Sequence, residues 1–231
     1  FLCQSHNTEV GVYRLIGQLK VDLAVPECYY FVPFTSENST AGSLALKYFG
    51  NTKVIHVHNM SADQVRQIAR ALGKIHDASS RHYADKEPSL NRDTWTKFRS
   101  QLQMDIFRQM MEMTKRLDET LAECIDAALE LLPDYFGSTL VVKIHEQMLV
   151  NVDLNATGTF ASVLFDEATC DLRAIIDWQI SHTGVGVEDL LRISMSGLKS
   201  AADRFAHMPD IANEIFGSME RHLDGAKAPY S

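Results

Sequence analysis

An apolar run that stops at a carboxylate sets the terms for this chain. In residues 172–192, LRAIIDWQISHTGVGVEDLLR, Ala174, Ile175 and Ile176 lead directly into Asp177 and Trp178. A carboxylate seldom ends such a run without a partner, so the stretch reads as a buried strand delivering Asp177 to a cleft. Its plain alternative is a hairpin-end aspartate capping a turn. Gly184 and Gly186 then mark a turn, and Glu188, Asp189, Leu190, Leu191 and Arg192 open a helix with acidic residues in its first turn, where the backbone dipole favours negative charge. Upstream, 163–165 and 172–176 flank the polar stretch 166–171, the spacing of a hairpin whose second arm ends at Asp177.

The chain has 231 residues, 45% hydrophobic and 23% charged, enough for one substantial domain or two small lobes sharing a cleft. A formal net charge of -8 and a pI near 5.6 argue against nucleic-acid binding, because no basic face is available to displace counterions from phosphates. A phosphorylated ligand would call for a divalent cation to neutralise its charge. Cys3, Cys28, Cys124 and Cys170 lie far apart without C-x-x-C spacing, so zinc and redox templates are unfilled and reduced cytoplasmic thiols are expected. No apolar stretch approaches the roughly 20 residues of a membrane span, and the first residues do not resemble a cleavable signal. With no initiator methionine, a fragment or trimmed chain is expected.

Along the chain, residues 6–20 read as an amphipathic helix, with Asn7 or Thr8 as its cap and Glu9 in its first turn. Residues 28–34 and 43–49 read as two strands around the polar turn 35–42, and 50–52 as a break. Ser61 and Gln64 offer a capping box for a helix to about Ser80, with Val65, Ile68, Leu72 and Ile75 on one face. Residues 93–132 are helical in period, as one bent helix or two, and Pro133 closes them. Met104, Met110, Met111 and Met113 read as core filler along that helix. Strands are expected at 140–142, 148–154 and 163–165, a helix at 200–222 with Ala201, Phe205, Met208, Ile211 and Ile215 on its apolar side, and a frayed tail at 225–231. His56 and His58 lack a third ligand nearby and read as a solvated pair rather than a metal site.

These landmarks resemble the CHK-kinase-like family, the choline-kinase-like and ecdysteroid-kinase-like group that sits with the aminoglycoside phosphotransferases in the protein-kinase-like superfamily. The resemblance is carried by IIDWQISHTG followed by VEDLLR, by HNTEV near the start and by LALKYFGNTKV, and runs from about His6 to Arg192. It implies an α+β, protein-kinase-like fold, with residues 1–52 a remnant of the N-lobe and hinge and 53–231 a helical C-lobe carrying the catalytic-loop hairpin. It also implies ATP and Mg²⁺ as cofactors and a small hydroxylated molecule as phosphoryl acceptor, with no nucleic-acid or membrane partner.

By the same resemblance, Asp177 is the aspartate that bridges Mg²⁺ to nucleotide phosphates, and Asp189 the aspartate that braces the catalytic loop from a helix start. Asp189 would be stabilising as a first-turn acid even without catalysis. Glu9 corresponds to the helix glutamate that pairs with an N-lobe lysine, or is an ordinary first-turn glutamate. Lys47 and Tyr48 resemble the hinge whose backbone faces adenine, or belong to a core strand.

Departures from the family pattern fall in the catalytic loop. Where the family has His-Gly-Asp, the chain has Asn151, Val152 and Asp153. Asp153 keeps the place of the base that orients and deprotonates an acceptor hydroxyl, or is a loop aspartate in a non-catalytic relic. Valine fits poorly where glycine permits a tight or positive-φ backbone. The second metal ligand, an asparagine in the family, falls at Gly158, or at Ser162 if the loop abuts the next strand. The glycine-rich loop and strand lysine are expected upstream of Glu9, and the chain begins only a few residues before it. A weakly active or inactive kinase is therefore expected, with a pseudokinase acting as a ligand- or protein-binding module as the alternative.

Overall fold

The computed structural model describes residues 2–19, 21–55, 59–83, 104–136, 153–155, 163–179, 181–184 and 187–222. The chain divides into two compact units, one formed by Phe1–Asn91 with Asn151–Ser231 and the other by Arg92–Val150.

In the first unit the elements are α1 (Leu2–Leu19), β1 (Cys28–Val32), β2 (Ser43–Leu46), β3 (Thr52–Val54) and α2 (Ala62–Tyr83). After residue 150 come β4 (Asp153–Asn155), β5 (Val163–Asp166), β6 (Leu172–Ile175), β7 (His182–Gly184), and two helices numbered below. The strands form three small antiparallel sheets, β1-β2, β3-β5-β6 and β4-β7. The α+β expectation holds.

Helix α2 starts as its side chains direct. Gln64 N–H donates to Ser61 Oγ at 3.2 Å while Ser61 N–H donates to Gln64 Oε1 at 2.9 Å, a reciprocal cap that satisfies two otherwise orphaned amides. Its apolar stripe of Val65, Ile68, Leu72 and Ile75 is buried and joins Val12 and Leu15 of α1, Phe165 and Ile175 of the hairpin, and Trp178 in one core. Gln67, on an adjoining face, accepts from the Leu172 amide at 2.7 Å and donates to the Cys170 carbonyl at 3.4 Å. The β5-β6 hairpin is thereby fastened to α2 at its turn.

The second unit holds α3 (Met104–Leu117), a 3₁₀ turn (Glu119–Leu121) and α4 (Ala122–Phe136). Residues 93–103 lie outside the described residues, and the rest of the long helical span is two helices. They part at Asp118, which leaves the helix in extended conformation (φ -144°) and accepts from the Thr120 amide. The Lys115 ammonium contacts the Asp126 carboxylate, tying α3 to α4. Pro133 does not close α4, which continues to Phe136; the missing proline N–H costs it one backbone bond near its end. Met110 and Met113 are exposed rather than core, as is Leu117 of the same helix.

The final helices of the first unit are α5 (Val187–Gly197) and α6 (Ala201–His222). Ile211 and Ile215 of α6 are buried as expected, but Ala201 and Phe205 are exposed, so the apolar side is real only in the helix's second half. There α6 lies so close to α2 that a Cβ on Gly73 would sit 2.4 Å from the Ile215 carbonyl oxygen.

Two strands escaped the reading of the sequence. Of the break at 50–52, Gly50 and Asn51 form a bend but Thr52 opens β3, whose Lys53 pairs with Phe165, and Gly184, read as a turn, is in β7 opposite Asp153. Three-residue strands are too short to display alternation. The expected strands at 140–142 and 148–152, His56, His58, Ser162 and the tail 225–231 lie outside the described residues. No helix among the described residues is long and apolar enough to cross a membrane.

Candidate active site

Strand β6 ends at Ile175, where its amide donates to the Ala24 carbonyl at 2.8 Å. Two residues on, Asp177 takes φ 66°, the left-handed region that aspartate and asparagine tolerate better than other side-chain-bearing residues. The chain swings there so that Trp178 enters the core with no exposure while Asp177 stays half-buried. An aspartate after an apolar run is therefore a pivot: the run anchors the strand, and the pivot presents the carboxylate.

The element facing it is α1. This helix begins at Leu2, so Asn7 and Thr8 are not its cap and Glu9 is not in its first turn. Asn7 instead clamps the end of the β1 segment, donating through Nδ2 to the Phe34 carbonyl and accepting the Phe34 amide at Oδ1, each at 2.8 Å. His6 Nε2 donates to the Val32 carbonyl at 2.8 Å. With the helix fixed in this way, its inner face carries Glu9, 8% exposed, and one turn on Tyr13, 3% exposed.

The Asp177 charge acts on Glu9. Burial raises the Glu9 pKa, the neighbouring Asp177 charge raises it further, and hydrogen bonds from the Trp178 backbone and the Gln179 side chain, with His6, pull it partly back. Tyr13 is raised by burial first, then by Glu9, Cys28 and Asp177, and its hydroxyl has no partner among the described residues. The cluster is one of negative charge held in a partly desolvated place. Among the described residues, no lysine is one of the groups that act on Glu9. The glutamate's hydrogen bonds come from the segment just after Asp177.

Behind this cluster, the ring N–H of His76 on α2 donates to Asp189 at the start of α5, Nε2 to Oδ2 2.9 Å, with both side chains buried. Asp189 is thus not simply a first-turn acid in solvent. It ties α5 to α2 across the core, and β7, which immediately precedes α5, is paired to β4 and so to Asp153. His76 was missed because it lies among apolar α2 positions and reads as core; the available signal was a charged helix-start residue needing a buried partner. Tyr13 and Gln179 were missed too, and only the folded contact with Glu9 distinguishes them.

The structure brings Glu9 and Asp177 together, and backbone pairing places Asp153 opposite Gly184, in the segment that follows Asp177. Lys47 and Tyr48 follow β2, both exposed, Tyr48 by 88%. The Lys47 amide donates to the Glu27 carbonyl at 2.8 Å, and its ammonium lies 5.8 Å from the centre of the Phe49 ring. This is an exposed segment rather than a core strand.

Among the described residues no group of three or more His, Cys, Asp or Glu forms a metal cage. A half-buried single carboxylate such as Asp177 suits Mg²⁺, which is held by one or two carboxylates and completes its shell with water and phosphate. Glu9, buried and already hydrogen-bonded, suits it less.

The molecule is an α+β protein whose candidate site is a carboxylate pivot faced by a buried glutamate. The chain belongs to the DUF1679 family, described as uncharacterized oxidoreductase dhs-27, whose model matches residues 1–231. Among solved structures it is similar to an aminoglycoside phosphotransferase from Alicyclobacillus acidocaldarius, with 14% identity and a TM-score of 0.47, over 98% of this chain and 71% of that one. That likeness is too loose to carry an argument. No curated protein matches the sequence.

Proposed function

We propose that this chain is a kinase-like phosphotransferase domain of the choline-kinase-like and ecdysteroid-kinase-like type. Its family reaction would be ATP-dependent transfer of a phosphoryl group to a hydroxyl of a small molecule, with weak or no turnover in this chain. The observation that carries the reading is that Asp177 acts electrostatically on the buried Glu9, the two lying at the hairpin end and on the helix where the sequence resemblance puts a kinase's metal aspartate and its paired glutamate.

In this reading Asp177 would hold Mg²⁺ and Asp153 would orient the acceptor hydroxyl and take its proton, Ser162 would be a further metal ligand, and Lys47 and Tyr48 would contribute to the adenine site. Bound with ATP, Mg²⁺ supplies neutralisation of the phosphate charge. The His76–Asp189 pair holds the start of α5 against α2, steadying the segment between Asp177 and Asp189. Residues 1–52 form the N-lobe remnant and hinge, and 53–231 the helical C-lobe. Four free cysteines support a cytoplasmic setting.

Weak turnover is supported by the same cluster. A kinase's glutamate holds a lysine against the phosphates, whereas Glu9 is acted on by Trp178 and Gln179 and, among the described residues, by no lysine. Positioned positive charge supplies much of the rate of phosphoryl transfer. This favours, as a second reading, a pseudokinase that binds a ligand or protein without turnover. Dinucleotide oxidoreduction, which the family's description suggests, has less support: the 231 residues contain no G-x-G-x-x-G, and the paired strands are antiparallel where a dinucleotide fold is parallel.

Phosphate release and transfer from Mg·ATP, measured over a panel of choline-like, sugar and steroid alcohols, tests this. The expected result is turnover far below the ~1–100 s⁻¹ of ordinary kinases, removed by Asp177→Ala. Turnover within that range contradicts the weak-activity reading, and turnover indifferent to Asp177→Ala contradicts the role given to Asp177.

A further inference from the structure

The turn joining β5 to β6 is pinned at every step. Asp166 Oδ1 accepts from the Ala168 and Thr169 amides at 2.9 and 3.0 Å. The Cys170 amide donates to the Asp166 carbonyl at 3.1 Å, and the Asp166 amide to the Asp171 carbonyl at 2.8 Å. Cys170 itself sits at φ 60°, a conformation residues with a side chain seldom adopt. It is half-exposed, and the Asp177 site makes no use of it.

From the neighbouring strand β3, Lys53 reaches over this turn. Its Nζ lies 3.3 Å from Cys170 Sγ and 3.4 Å from the Glu167 carbonyl oxygen. The strand beneath is held too, Lys53 pairing with Phe165 and the Glu167 amide donating to Asn51 at 2.9 Å. A nucleophilic amine and an oxidisable thiol are therefore fixed against each other by two rigid pieces of backbone. Among the described residues, none of the other free cysteines, Cys3, Cys28 and Cys124, has a lysine at this distance.

We propose that Lys53 and Cys170 form an oxidation-closed N–O–S bridge, a reversible covalent cross-link of one oxygen atom between the lysine nitrogen and the cysteine sulfur. The 3.3 Å contact is a hydrogen-bond distance, close enough for the flexible lysine stem to bring its nitrogen to an oxygen carried on the sulfur. The oxidant is a peroxide. The first peroxide converts the thiol to a sulfenic acid, its O–O bond breaking, one oxygen passing to sulfur and the other leaving as water. After the ammonium has given a proton to solvent, the amine, the sulfenic acid and a second peroxide yield the N–O–S bridge and two further waters. Sulfur and nitrogen each lose two electrons, and the two peroxides take up all four. Reduction by two equivalents of a dithiol returns thiol, amine and one water.

The bridge would link positions 117 residues apart. Closing a loop of that length restricts the unfolded chain strongly, so the bridge would act as a redox-set lock on the hairpin whose other end presents Asp177.

The test is to treat the full chain with hydrogen peroxide, digest it with trypsin and read the peptides by mass spectrometry, beside a thermal melt. Expected is a linked peptide pair containing Lys53 and Cys170, heavier than its parts by one oxygen less two hydrogens, lost on dithiothreitol treatment and absent from Lys53→Arg and Cys170→Ser. The oxidised wild type should melt about 5 °C or more above the reduced form, a shift Lys53→Arg does not show. Sulfinic acid at Cys170 with trypsin still cutting after Lys53 would overturn the proposal, as would a disulfide-linked dimer through Cys170 or a direct S–N link that has lost two hydrogens without gaining oxygen.

Discussion

Helices α1 and α2 belong to the same core, yet they use their polar residues in opposite ways. On α2 the polar residues at the N-terminus act locally: Ser61 and Gln64 cap each other's amides, and the helix begins where that box puts it. On α1 the polar residues act at a distance. Asn7 clamps Phe34, His6 bonds Val32, and Glu9 faces Asp177. Local use leaves a signature that neighbouring residues reveal. Distant use looks the same in sequence as a cap, so Asn7, Thr8 and Glu9 passed for the start of a helix that begins at Leu2.

The largest expected effect lies on α2. Gly73→Ala puts a Cβ 2.4 Å from the Ile215 carbonyl oxygen and 2.9 Å from Ser218 Cβ, and backbone cannot move aside as a side chain can. Urea unfolding should show a loss of about 1–3 kcal/mol, although alanine is otherwise the better helix former. A neutral or stabilising result would mean that α2 and α6 are further apart than described.

The two helix beginnings can be separated by a pair of smaller changes. Ser61→Ala should cost about 1 kcal/mol by removing a cap. Asn7→Asp would be almost silent if Asn7 were a cap, since the two residues cap equally well. As a clamp it loses the Nδ2 donor and sets a carboxylate against the Phe34 carbonyl, costing about 1 kcal/mol.

A still smaller effect should appear as a pH dependence peculiar to α1. The Glu9 pKa is raised above 4.5 by burial and by Asp177, so between that value and the raised one the folded protein holds a proton that the unfolded chain has released. The associated stabilisation is complete below 4.5 and is lost as pH rises through the folded value. Glu9→Gln should remove this fall from a plot of stability against pH. An unchanged plot would mean that Glu9 titrates as it does in water.

How far the sequence spoke depends on the range of the interaction behind each feature. The capping box of α2, the β5-β6 hairpin, the Asp177 pivot at its end and the helix opening at Asp189 were legible because each rests on residues a few positions apart. Strands β3 and β7 were too short to show a period, and Gly184 looked like a turn because glycine usually is one. In the site, Asp177 announced itself as a charge at the end of an apolar run and Asp189 as an acid in the first turn of a helix. Their partners did not: His76 and Tyr13 are buried on helix faces that look like ordinary core, and only the fold shows which carboxylate each is near.

Glu9 feels the Asp177 charge, and no lysine among the described residues acts on it. A double-mutant cycle on Glu9→Gln and Asp177→Asn measures this directly, asparagine being chosen because it tolerates the φ of 66° at that position. At mildly alkaline pH, removing either carboxylate should relieve the same repulsion. The double mutant would then be less stable than the sum of the single effects predicts, by about 0.5–3 kcal/mol. Additivity within about 0.3–0.5 kcal/mol would contradict it, because two carboxylates that do not feel each other do not share a site.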